Sequence, residues 1–290
     1  MKINIINACS DLGVEVDGAD KGPLIISKNL NNSKINKTIT VLKNNTKKSH
    51  DINDLRKNLD EVNIFNAKLY KEVFSTIEDN CFPITLGGDH SIAIGSALAS
   101  QAQNKNLGII WIDAHLDYNT FETTITGNLH GLPLAAIDGL CPDLTPFFDG
   151  NFYNPKNTVV VGYRAQETNK EAELNNIKKA GVTVFDNDDI KKYGIENIMN
   201  KAIDIASNNT NGIHISYDLD VIDEKFAPGV SVPELDGLND TIAYKIRDIL
   251  CDNLDKIKSL DLVEYNPDFD KNNKTLELSL NILNKIIEKK

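Results

Sequence analysis

The sequence predicts an α/β fold built around a mostly parallel β-sheet. Short apolar runs rich in Ile and Val recur along all 290 residues, and amphipathic helical patterns separate them. This alternation implies right-handed crossovers between parallel strands, with helices covering the sheet. No linker-like tract or internal repeat divides the chain, so we expect a single domain over residues 1–290.

Eight apolar runs are the candidate strands. A strand buried on both faces has a continuous apolar sequence instead of an alternating one. The runs lie at residues 3–8, 38–42, 82–86, 107–112, 158–162, 182–185, 212–217 and 257–263. Eight strands suit a closed barrel and an open doubly wound sheet equally, so this pattern leaves the choice open.

Longer segments between these runs have apolar residues at the i, i+3, i+4 spacing of a helix with one buried face. The clearest covers residues 53–79, where one stripe contains Leu55, Leu59, Val62, Phe65, Leu69 and Val73. The others cover residues 168–180, 195–207, 239–251 and 272–288. Further helices are expected to begin at Ser91 and within the segment GNLHGLPLAAI.

Composition excludes several classes of protein. Lys and Arg number 31 against 42 Asp and Glu, which gives a net charge of −11 and no basic face for nucleic acid or anionic membranes. No apolar stretch approaches the roughly 18 residues that span a bilayer, and the N-terminus does not resemble a secretion signal. The four cysteines are far apart and form no CxxC pair. We therefore expect a cytoplasmic protein.

Polar side chains follow four of the apolar runs, where functional residues of α/β folds collect. If the chain stays extended after residue 112, the side chains at 113, 115 and 117 point to one side. The candidates at the four run ends are His90, Asp113, His115, Asp117, Asp218, Asp220 and Glu264.

Five carboxylates converging in one crevice without countercharge would repel one another, and burying each would cost several kcal/mol. Divalent cations supply the countercharge. Two imidazoles among many carboxylate oxygens favour manganese over zinc or copper, with magnesium, iron and cobalt as less favoured alternatives. A single Asp at a strand end is more often a turn or a helix cap. Carboxylates and histidines occur together at the ends of four runs, and this combination favours a two-metal site instead.

At these motifs the chain resembles the ureohydrolases, the family of arginase and agmatinase. GADKGP, GGDHS, DAHLDYN, SYDLDVID and VEYNP occur in that order over nearly the whole chain. The segment DYNTFETTITGNLHG at residues 117–131 is similar to the arginase branch. The resemblance implies a three-layer αβα sandwich with an open, eight-stranded, mostly parallel sheet. It thereby selects the open sheet over the barrel.

The resemblance also implies two Mn²⁺ ions per subunit. One ion would be held by His90, Asp113, Asp117 and Asp218. The other would be held by His115, Asp113, Asp218 and Asp220. Asp113 and Asp218 would bridge the two ions.

The implied reaction is attack of a metal-bridging hydroxide on a guanidino carbon, which gives urea and an amine. Asp117 would orient the hydroxide, and Glu264 would hold the guanidinium over it. His130 stands where the family places a histidine that protonates the departing amine. The alternative for His130 is that it caps the following helix.

For the substrate, the resemblance favours hydrolysis of L-arginine to L-ornithine and urea. Asn119 and Thr126 would bind the α-carboxylate, and Glu167 would approach the α-amino group. Val232 stands where threonine is usual, which removes a hydroxyl near Glu264. Alternatives are agmatinase, guanidino-acid or formiminoglutamate hydrolase activity, a metal-dependent deacylase of related fold, and a scaffold without turnover. The resemblance suggests homotrimers or homohexamers.

Overall fold

The computed structural model describes residues 1–164 and 170–290, which contain one eight-stranded sheet. Its strands are β1 (Ile3–Cys9), β2 (Ile35–Leu42), β3 (Phe82–Gly87), β4 (Gly108–Ile112), β5 (Thr158–Tyr163), β6 (Thr183–Asp186), β7 (Ile213–Asp218) and β8 (Ile257–Val263). All pairings are parallel, in the order β2-β1-β3-β8-β7-β4-β5-β6. The eight predicted strands are confirmed, and the separate edge strands β2 and β6 make the sheet open.

Helices cover both faces of the sheet. In the described ranges they are α1 (Gly22–Asn29), α2 (Leu59–Glu78), α3 (Ala93–Asn104), α4 (Pro133–Ile137), α5 (Lys170–Ala180), α6 (Asn187–Tyr193), α7 (Ile195–Ser207), α8 (Asp240–Asp252) and α9 (Lys274–Lys289). One apolar core packs α1, α6, α7, α8 and α9 against the sheet, and a second packs α2, α3, α4 and α5 against its other face. The three-layer αβα fold class is therefore confirmed.

The predicted helix at 53–79 was wrong at its start, because α2 begins at Leu59. Residues before it form turns in which the Asp51 and Asp54 carboxylates accept hydrogen bonds from the backbone of Asn53 and Arg56. Leu55, assigned to the buried stripe, is instead exposed. The apolar spacing continues upstream of the helix, but these side-chain bonds hold the backbone in turns.

The sheet order places four strand ends side by side. Strands β3, β8, β7 and β4 are consecutive neighbours, and each of the four predicted polar run ends follows one of them. Because parallel strands end at the same edge, residues far apart in sequence meet there. In the described ranges, no helix combines the length and apolar character needed to cross a bilayer.

Candidate metal centre and active site

The turn after β3 places His90 at the sheet edge. Gly88 is required there, since a Cβ atom would lie 1.8 Å from the carbonyl oxygen of Ser10. The buried Asp89 carboxylate accepts hydrogen bonds from the backbone amides of Ser91 (2.8 Å) and Gly13 (3.0 Å). Asp89 therefore caps the short helical turn that leads into α3, and His90 points into the site.

The imidazole of His90 faces three carboxylates. Its Nδ1 atom lies 2.9 Å from Asp218, 3.0 Å from Asp113 and 3.2 Å from Asp117. The ring is held from behind: it stacks on Trp111 at a centroid distance of 3.9 Å, and its Nε2 atom lies 2.8 Å from the Ser216 hydroxyl. We call His90, Asp113, Asp117 and Asp218 the His90 cluster.

A second group of the same chemistry adjoins the first. His115 Nδ1 lies 2.9 Å from Asp220 and 3.5 Å from Asp113. We call Asp113, His115 and Asp220 the His115 cluster. Asp113 belongs to both, with Oδ2 towards His90 and Oδ1 towards His115. By contrast, Asp218 turns only Oδ2 to His90, because its Oδ1 accepts the Asp220 amide at 2.8 Å.

The condition of an extended backbone over residues 113–117, from which the shared direction of their side chains was inferred, is not met. The chain bends after β4, and Asp117 has a φ of 50°, in the left-handed region. That bend directs Asp117 towards His90 while His115 faces Asp220. The three side chains converge on the crevice through the bend, not by alternating along a strand.

The donor set fits divalent cations. His90 Nδ1 and Asp113 Oδ2 are buried and lack a hydrogen-bond partner among the described residues, although they lie 3.0 Å apart. Burial and then the charge of Asp113 raise the pKa of Asp117 to about 7, and burial also raises the pKa of Asp218 and Asp220. The carboxylates thus repel one another when charged, and cations would relieve that repulsion.

Glu264 and His130 form a pair beside the two clusters. Glu264, just after β8, has a φ of 68°, and its Oε1 atom accepts the His90 amide at 2.9 Å and lies 3.1 Å from His130 Nδ1. Its Oε2 atom is buried and has no partner in the described chain. Burial lowers the pKa of His130, but the hydrogen bond to Glu264 and its charge raise it to about 9 overall. His130 thus contacts Glu264 through its ring.

A cavity of about 240 Å³ opens beside the clusters, and two of the predicted substrate residues, Asn119 and Thr126, line it. Val232 also lines the cavity, without the hydroxyl that the usual threonine would place there. Glu167 lies outside the described residues. The lining also includes His115, Asp117, His130 and Glu234.

Four residues of the site were missed by sequence reasoning. Trp111 and Ser216 are buried strand residues whose types give no functional signal, and their role as supports of His90 follows from strand order. Arg164 donates four hydrogen bonds to backbone carbonyls of the loops around the clusters. Glu234 lies 3.6 Å from His115 Nε2. It occurs in a Pro- and Gly-containing loop, where one carboxylate is no signal by itself.

Comparisons with known proteins identify the family and agree with the fold. The arginase family profile matches residues 1–288. Arginase of Staphylococcus aureus strain COL is 36% identical over 97% of this chain and 95% of its own length. The Bacillus caldovelox arginase structure superposes with a TM-score of 0.91 at 32% identity, covering 100% of this chain and 99% of that one. An Entamoeba histolytica arginase solved in complex with L-ornithine gives a TM-score of 0.88 at 27% identity, covering 99% and 97%. The chain therefore belongs to the arginase family of metal-dependent amidinohydrolases.

Proposed function

We propose that the protein is a Mn²⁺-dependent arginase of arginine metabolism, which hydrolyses L-arginine to L-ornithine and urea in the cytoplasm. The observation that supports this most is the pair of clusters sharing Asp113 beside a cavity that His130 borders. We assign the activity to one domain over residues 1–290, acting as a homotrimer or homohexamer.

For the metal ligands we propose the sets implied by the motifs: His90, Asp113, Asp117 and Asp218 for one Mn²⁺, and His115, Asp113, Asp218 and Asp220 for the other. The His90 and His115 clusters support these assignments, with Asp113 already placed between them. Asp218 directs Oδ2 to His90, and its Oδ1 accepts the Asp220 amide, so the same carboxylate adjoins residues of both sets. When bound, paired Mn²⁺ ions lower the pKa of water, so that a hydroxide nucleophile forms at neutral pH.

The chain's own residues would orient and protonate the reactants. The partnerless Oε2 of Glu264 is suited to accept an N–H of the guanidinium and so fix the carbon above the clusters. Asp117 would accept a hydrogen bond from the attacking water and aim it. His130, protonated at neutral pH because its pKa is about 9, would donate from its ring to the departing amine.

The far end of the substrate would be bound by the cavity wall. Asn119 and Thr126 carry donors for an α-carboxylate, and we assign Glu167 to the α-amino group. The ornithine complex of the Entamoeba relative supports an α-amino acid product. A second candidate is hydrolysis of agmatine or a guanidino acid, because Val232 on the cavity wall lacks the hydroxyl of the threonine that is usual in the family, and substrate contacts therefore differ.

A substrate panel tests the proposal. The Mn²⁺-loaded protein is assayed for urea with arginine, agmatine, guanidinobutyrate and guanidinopropionate, for formamide with formiminoglutamate, and for acetate with acetylated amines. We expect urea and ornithine from arginine at the highest kcat/KM. Urea from agmatine alone would refute only the substrate, whereas no urea from any guanidino compound would refute the proposed function.

A further inference from the structure

Glu234 lies on the side of the His115 ring that faces away from Asp113 and Asp220. His115 Nδ1 faces Asp220 at 2.9 Å and Asp113 at 3.5 Å, while Nε2, across the ring, lies 3.6 Å from Glu234 Oε1. The imidazole is thus between the carboxylates that would hold a cation and one further carboxylate. The Glu234 side chain is 24% exposed on the cavity wall, so it has room to adjust.

The guanidinium of Arg164 fixes the loop of Glu234 to the turn that bears Asp220. Its Nη2 atom donates to the carbonyl oxygens of Asp220 at 2.7 Å and Glu234 at 3.1 Å. Nε donates to Leu235 at 3.0 Å, and Nη1 donates to Val221 at 3.0 Å. One side chain therefore sets the distance between a cluster carboxylate and the Glu234 backbone.

The far end of the loop is attached to the same turn. Leu238 makes two backbone hydrogen bonds to this segment. Its amide donates to the carbonyl oxygen of Val221 at 3.0 Å, and its carbonyl oxygen accepts from the amide of Asp223 at 2.8 Å. Gly237 permits the close approach, because a Cβ atom there would lie 2.4 Å from the Asp223 amide nitrogen. Glu234 is thus carried by a loop held at both ends.

From this geometry we propose that Glu234 is a positioning residue that orients His115 for the metal ion on its Nδ1 side. A carboxylate accepting the outer N–H of an imidazole keeps the proton on Nε2, leaves the Nδ1 lone pair free and makes it more basic. The distance between His115 Nε2 and Glu234 Oε1 is 3.6 Å, so a side-chain movement of less than about 1 Å would bring it to the roughly 2.9 Å of a hydrogen bond. This inference rests on the proposed function, since it requires His115 to bind metal.

The proposal makes the two ions unequal in their dependence on Glu234. The outer nitrogen of His90 is held by the Ser216 hydroxyl, with no contact to Glu234. Replacing Glu234 should therefore weaken one ion and spare the other. If Glu234 acted only through its charge, its replacement would weaken both ions, and replacement of a neighbouring acidic residue in the same loop would have a similar effect.

The test is a titration of metal-free protein with Mn²⁺ by calorimetry, for wild type, Glu234→Gln, Glu234→Asp and Asp236→Asn. Asp236 is the matched control because it is an exposed carboxylate residue two positions further along the same loop. We expect two ions per chain in wild type and Asp236→Asn. In Glu234→Gln one ion should bind unchanged and the other about tenfold or more weakly, with Glu234→Asp in between.

Each contrary outcome has a distinct meaning. Unchanged binding in Glu234→Gln, equal weakening of both ions, or the same loss in Asp236→Asn would overturn the role of Glu234. Failure of wild type to bind two Mn²⁺ ions would refute the proposed function itself. Thermal melts of the metal-free variants check folding. Glu234→Asp gives a second, charge-preserving comparison if the glutamine variant is unstable.

Discussion

The two histidines at the candidate metal centre present the same atom to the carboxylates but are supported differently. His90 is buried, stacks on Trp111 and contacts the hydroxyl of Ser216 from β7. The His115 side chain is 12% exposed at the cavity wall and has Glu234 behind it at 3.6 Å. One half of the centre is thus built into the sheet, and the other half depends on loops held together by Arg164.

This difference predicts which half tolerates change. A ring enclosed by a strand and an indole loses its position only if the core around it moves. A ring supported by one loop carboxylate loses its orientation when that side chain is altered. Asp113 belongs to both clusters, so a change of this residue should affect both halves.

The largest effect is expected from Asp113→Asn, which changes a residue of both clusters. Loss of a residue that only hydrogen-bonds a metal ligand weakens metal binding by about 10–100-fold. Asp113→Asn should weaken the binding of both ions by more than that. Urea formation should fall to background. Measurement of Mn²⁺ content and urea on the purified variant checks this, and retention of two tightly bound ions would show that Asp113 is not shared.

His130→Ala should leave both halves of the centre intact and remove proton donation. We expect two bound ions and a kcat reduced by about 10²–10⁴-fold. Because protonated His130 is the donor and its pKa is about 9, wild-type kcat should fall as the pH rises through that value. The variant should lack this decline. A pH–rate profile tests the role, and full turnover in the variant would disprove it.

Ser216→Ala alters the support of the His90 half alone. We expect binding of one ion to weaken by no more than about tenfold, because the ring loses the hydroxyl partner of Nε2 but keeps its Trp111 contact. Combined with Glu234→Gln, the double variant should weaken both ions in a Mn²⁺ titration. If both single changes weakened the same ion, the assignment of supports to separate halves would be wrong.

The smallest effect is expected from Val232→Thr, outside both clusters. A hydroxyl on the cavity wall adds one hydrogen bond worth about 0.5–1.5 kcal/mol. The kcat/KM for arginine should therefore rise by roughly two- to tenfold, with Mn²⁺ binding unchanged. Steady-state kinetics on arginine and agmatine measure this. A drop in arginine turnover would indicate that valine is suited to a different substrate.

Much of the fold could be predicted because strands buried on both faces have a simple apolar pattern. Runs such as LGIIWI and TVVVG need no tertiary information to be recognised. The start of α2 could not be predicted, since the turn preference of the Asp side chains before it outweighs an apolar spacing that includes Leu55. Helices α1 and α6 were not predicted, because their eight and seven residues are too few to show a clear helical spacing.

The six proposed ligands could be predicted from the sequence because each lies at or shortly after the end of a strand, and the sheet order brings those strand ends together. Their supports were not found. Ser216 is recognisable only once β7 lies beside β4, and Glu234 only once Arg164 attaches its loop to the Asp220 turn. The left-handed backbone of Asp117 was also missed, because no residue type there demands it.

The central claim is that two cations bind side by side, one in each half, with Asp113 between them. Anomalous scattering from crystals grown with Mn²⁺ measures this directly. We expect two peaks about 3.5–4 Å apart, one beside His90 Nδ1 and one beside His115 Nδ1. A single peak, or peaks away from Asp113, would contradict the account.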